Sequence, residues 1–122
     1  MHGVPSDLPL ERFVGKELNQ IAIGRFDVQL SFASVGTISI WGKWELRDPA
    51  GAVVDAQHDH ETRESYRLHR LLNLTVVRFE LDPPRAFTLV FDPGYRLTVF
   101  DDTPSRYESF SIALADGTSV IV

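Results

Sequence analysis

The chain has 122 residues, 43% hydrophobic and 24% charged, with no cysteine and a net charge of −5. That is the size and makeup of one domain with its own core, not of a disordered segment. Disulfides, thiolate catalysis and cysteine-bound zinc are excluded, and the acidity argues against nucleic acid or an anionic membrane as partner.

Residues 1–12, rich in proline and charge, read as a loose arm. Met1–Asp7 has neither the basic nor the apolar part of a signal peptide, and no apolar run nears the ~20 residues that cross a bilayer. A cytoplasmic protein is expected. A first meander spans 13–57, where Phe26, Val28, Leu30 and Phe32 alternate with polar residues, as in a strand with one wet face. Ile38 and Ile40 repeat the pattern, then Trp44 and Leu46, with turn signals at Ser34-Val35-Gly36 and Asp48-Pro49-Ala50-Gly51. A second meander spans 74–122: Val77, Phe79 and Leu81; Phe87, Leu89 and Phe91; Tyr95, Leu97 and Val99; Phe110, Ile112 and Leu114. Asp116-Gly117 then turns the chain into Val120-Ile121-Val122.

The two halves match. Ile21-x-Ile23 falls on Val77-x-Phe79 at an offset of 56, and Val28-x-Leu30-x-Phe32 on Phe87-x-Leu89-x-Phe91 at 59. Ile38-x-Ile40 falls on Leu97-x-Val99 at the same 59, and Trp44-x-Leu46 and Gly51 on Phe110-x-Ile112 and Gly117 at 66. Such self-similarity is the mark of an internal duplication. Between the copies, 58–73 carries the one predicted α-helix, about 61–72, with Leu68, Leu71 and Leu72 on one stripe and Arg63, Arg67 and Arg70 opposite. Asn73 is placed to cap it. The expected fold is α+β and β-dominated: two antiparallel meanders forming a sandwich or a barrel around one helix.

Chemistry-bearing residues are sparse. His58, His60 and Glu61 have the spacing to hold a metal, yet two histidines make a thin ligand set, and a solvated loop before the helix is the plainer reading. Asp92, Asp101, Asp102 and Glu108 gather near one end of the second meander, where aspartates beside Pro and Gly are ordinary turn formers. Gly15-Lys16 lacks the rest of a phosphate loop. Trp41 and Trp44 fall on opposite faces unless a bulge intervenes. Both packing inside a sandwich is the plainer expectation, and an exposed Trp41, with Tyr66, would mark an interface.

Val14-Gly15-Lys16-x-Leu18, Leu30-x-Phe32, Leu97, Glu108-Ser109-Phe110 and the closing Gly117-x-x-Val120-Ile121-Val122 together resemble a family of small bacterial, mostly actinobacterial, β-rich domains. Some of these are immunity-protein-like. The resemblance implies binding of a protein partner or self-association, and it assigns no catalytic residue and no cofactor. A ligand carrier with a barrel cavity is the alternative. A metal-dependent enzyme using His58 and His60 comes third.

Overall fold

The alternating runs become ten strands in the computed structural model, which describes residues 3–57, 66–101 and 109–122. They are β1 (Gln20–Ile23), β2 (Val28–Phe32), β3 (Gly36–Ile40), β4 (Trp44–Arg47), β5 (Val53–Gln57), β6 (Val76–Asp82), β7 (Ala86–Phe91), β8 (Tyr95–Phe100), β9 (Phe110–Leu114) and β10 (Ser119–Ile121). All pairings are antiparallel, and they close into two separate five-stranded sheets. Sheet I has the order β1-β2-β3-β9-β10, and sheet II the order β5-β4-β8-β7-β6. The fold is therefore a β-sandwich. Among the described residues no helix is long and apolar enough to cross a membrane.

Period-two patterning fixes which face of each strand turns inward. Sheet I sends in Val28, Leu30, Phe32, Ile38, Ile40, Phe110, Ile112 and Leu114; sheet II sends in Trp44, Leu46, Phe87, Leu89, Phe91, Leu97 and Val99. Aromatic contacts tie the layers together. Phe32 of sheet I stacks on Phe91 of sheet II at 6.4 Å between ring centroids, and Phe87 meets Phe110 edge-on at 4.9 Å.

Raising every strand number by five, with β1 following β10, turns the order of sheet I into that of sheet II read from its other edge. The correspondence extends to register: Ile38↔Ile112 and Ile40↔Phe110 in sheet I answer to Leu97↔Leu46 and Val99↔Trp44 in sheet II. The offset for the first strand is corrected, since Ile21 and Ile23 take the places of Phe79 and Leu81, an offset of 58 rather than 56. A bulge between Val76 and Arg78 shifts the strand phase there, burying Val76 and exposing Val77.

The α-helix expected over 61–72 is also corrected. Its residues 61–65 lie outside the described residues, and 66–72 hold only a 3-10 turn, Leu68–Leu71. Its counterpart, at an offset of 58, is a second 3-10 turn at Leu10–Phe13. The backbone after each turn bonds across to the other half of the chain instead of continuing a helix. Gly15 N–H donates to Val76 O (2.7 Å) and Asn73 N–H to Leu18 O (2.8 Å); Leu18 N–H donates to Leu74 O (3.0 Å) and Val76 N–H to Lys16 O (2.9 Å). Adding 58 to one bond of each pair yields the other, so the bridge Glu17↔Thr75 lies on a local twofold axis. Gly15 and Asn73, both left-handed at φ +85° and +67°, turn the chain into this crossing.

The stretch read as a loose arm is held down from residue 3 onward. Val4, Leu8 and Leu10 are buried, Val4 N–H donates to Pro84 O (2.8 Å), and Gly3 N–H donates to Asp101 Oδ2 (2.6 Å).

Candidate interaction surface

The same alternation that fills the core decides what each sheet shows to the outside. In sheet II the outward residues form two rungs in register: Ala56, Glu45, Thr98, Thr88, Glu80, and Val53, Arg47, Arg96, Val90, Arg78. Five of these ten are charged, and they pair among themselves. Arg47 Nε donates to Glu45 Oε2 at 3.1 Å, and Arg96 grips Glu80 with both terminal nitrogens, Nη1 at 3.1 Å from Oε2. Val90 and Thr88 between them are buried although they point outward, flanked by Arg78 and Arg96 whose stems can cover them.

The Arg96 guanidinium first, and Arg78 after it, hold the Glu80 carboxyl below the ordinary carboxylate value of 4.5, against a smaller opposing effect of burial. A depressed folded-state pKa stabilises the fold above the unfolded value, and that contribution is lost as pH falls through the folded one. Glu80→Gln should thus flatten the fall in melting temperature below about pH 4.5. At neutral pH it should cost under ~1 kcal/mol, because the pair is half-exposed and screened. Parallel melts of wild type and Glu80→Gln from acid to neutral pH check this; identical acid slopes would refute it.

Sheet I is different. Its two outward rungs read Ala22, Gln29, Ser39, Ser111, Ile121, and Gln20, Ser31, Thr37, Ala113, Ser119. None of the ten carries a charge, in a chain that is 24% charged. Position by position, Glu80, Arg78, Arg96, Glu45 and Arg47 of sheet II are matched in sheet I by Ala22, Gln20, Thr37, Ser111 and Ala113. Ser31 and Thr37 share a hydrogen bond at 3.3 Å within the face.

Trp41 continues the outward parity of Thr37 and Ser39 and is 40% exposed at the end of this face. Both Trp41 N–H and Gly42 N–H donate to Ser109 O, at 2.9 and 3.0 Å, which fixes that end of β3 against β9. Trp44, three residues on, is fully buried, so the two tryptophans part to opposite faces. Tyr66 lies elsewhere: half-buried, it stacks on Trp44 at 6.4 Å and belongs to the packing of sheet II, away from the neutral face.

His58, His60 and Glu61 lie outside the described residues, as do Asp102 and Glu108. Among the described residues no group of three histidine, aspartate or glutamate side chains is placed to hold a metal. Asp101 works as a tether, accepting from Gly3 N–H and from Ser109 Oγ (2.5 Å). Lys16 and Arg12 border an open cleft of about 460 Å³ with Ser34, Val35, Ala115 and Asp116, and Arg12 is engaged with Asp116 at 3.1 Å. Sequence reasoning that followed the inward residues missed the neutral face, although the off-phase residues of β1, β2, β3, β9 and β10 spell it out. No family model, no curated protein and no solved structure matches this chain.

Proposed function

We propose that the chain is a binding domain that works through the outer face of sheet I. One observation carries this reading: ten outward positions without a charge, where the equivalent sheet has five. Interface centres are depleted in charge and anchored by aromatic residues, and the face is bordered by a half-exposed tryptophan. The resemblance to small bacterial β-rich domains, some immunity-like, agrees with a cytoplasmic role played by binding. We also infer that the halves descend from one duplicated unit; the shared strand order, registers and crossing bonds support it.

Two reciprocal substitutions test the binding face. Ser111→Glu gives sheet I the charge that sheet II carries at the equivalent Glu45, and Glu45→Ser does the reverse. Both positions point outward, so folding should change by less than ~0.5 kcal/mol. With tagged protein in lysate of the native host, wild type and Glu45→Ser should retain the same bound material, and Ser111→Glu should lose it at least about tenfold, ~1.4 kcal/mol. Equal retention by all three would remove the face from consideration.

A further inference from the structure

We propose that the outer face of sheet I takes a neutral oligosaccharide, seated on Trp41; the proposal rests on the binding reading above and names its ligand class. Beyond the two rungs, the same outward parity brings together Asp27, two residues before Gln29, and Trp41, two after Ser39, with Gln29 and Ser39 opposite each other in register. The Asp27 carboxylate is held in place. Gln29 Nε2 donates to its Oδ2 at 3.1 Å, Gly24 N–H donates to Asp27 O at 2.8 Å, and a Cβ at Gly24 would run into Asp27 Oδ1. A half-exposed indole beside a fixed carboxylate and amide suits a sugar ring. The C–H face of such a ring is apolar and stacks on an aromatic one, while the hydroxyls at its rim donate to a carboxylate and exchange hydrogen bonds with an amide.

Charge and size favour this occupant. A sugar hydroxyl both donates and accepts, and so do the serine and threonine hydroxyls and glutamine amides of the two rungs. The side chains of Gln20, Ser39, Ser111 and Ser119 have no hydrogen-bond partner among the described residues, so they are open to that exchange. An acidic glycan would instead meet the Asp27 carboxylate on a chain of net charge −5. The strands stand about 4.8 Å apart, close to the length of one sugar unit, so about four units laid along a rung cross the five strands. Two rungs are a narrow seat for a protein and a sufficient one for a chain one ring wide. With one stacking ring and mostly polar contact, Kd should be about 0.1–1 mM.

An array of immobilised neutral and acidic glycans, probed with the tagged full chain, tests this. Wild type and Glu45→Ser should bind the same neutral glycans. Trp41→Ala, Asp27→Ala and Ser111→Glu should each lose at least about tenfold in that binding, with melting temperatures near wild type's because all three positions face outward. Trp41→Phe, which keeps an aromatic ring, should retain more than Trp41→Ala. Titration of the bound glycan in solution gives a second readout: tryptophan emission should shift in wild type and stay still in Trp41→Phe. No neutral glycan bound, binding confined to acidic glycans, or binding that Trp41→Ala leaves intact overturns the proposal. If the array is blank while the lysate comparison still separates Ser111→Glu from wild type, the binding face stands and only the ligand class falls. If Ser111→Glu matches wild type in both, the face falls too.

Discussion

Trp44→Ala should cost about 3–5 kcal/mol, the range for emptying a large aromatic site, and should leave the domain largely unfolded or close to it. Trp44 is fully buried on β4, paired in register with Val99 on β8 and Gln57 on β5, and stacked on Tyr66 at 6.4 Å. Removing the indole opens a void beside β5, β8 and Tyr66, and a sheet held from both sides cannot collapse to fill it. Phe110 occupies the equivalent place in sheet I, fully buried and edge-on to Phe87 at 4.9 Å. Phe110→Ala should therefore fall in the same range. Urea unfolding followed by circular dichroism checks both, read as a lower midpoint. A loss under ~1 kcal/mol at either site would mean that these rings are not the centre of the core.

Inward residues were readable where they alternate strictly, as Val28, Leu30 and Phe32 do, whereas β7 is buried at all six positions and its phase is marked only by the larger Phe87, Leu89 and Phe91. β5 was not readable for the opposite reason, since its inward positions are Asp55 and Gln57. The Asp55 carboxylate accepts from Ala56 N–H at 3.0 Å and Arg67 N–H at 2.5 Å, a tertiary role that no local pattern announces. The expected helix failed on an ambiguity of spacing. Leu68 and Leu71 are three apart and buried, which suits a 3-10 turn as well as an α-helix, and Leu72 is exposed. Leu10-x-x-Phe13-x-Gly15 carries the same spacing as Leu68-x-x-Leu71-x-Asn73, and comparing them would have exposed both the short turn and the offset of 58. The plainer expectation, both tryptophans inside, fails for Trp41, which follows the outward parity of Ser39 and is 40% exposed, and Tyr66 stacks on the buried Trp44.

The local symmetry of the backbone and the asymmetry of the surface answer different demands. Packing acts on inward residues, which apart from Asp55 and Gln57 of β5 are almost all apolar in both sheets, and it constrains the outward ones far less. Sheet II carries paired charges across its outer face, and the two outward rungs of sheet I carry none, with Asp27 at their border bonded to Gln29. Solubility alone would favour charge on both.

Gly36→Ala should cost about 2–3 kcal/mol, because it forces one backbone against another. A Cβ at Gly36 would lie 2.3 Å from Ala113 O and 3.0 Å from Leu114 Cα, both main-chain atoms of β9, so no side chain can swing aside. β3 and β9 would have to part or slide at Gly36↔Leu114, the end of the ladder that also sets Thr37 opposite Ala113 and Ser39 opposite Ser111. Gly51→Ala makes the contrast: its Cβ meets nothing within 4 Å, and only its φ of +91° resists, a strain worth about 1 kcal/mol. Thermal melts should rank Gly36→Ala clearly below Gly51→Ala. If Gly36→Ala melts with Gly51→Ala, β3 and β9 do not approach closely at Gly36, and the register that sets out the neutral face loses its foundation.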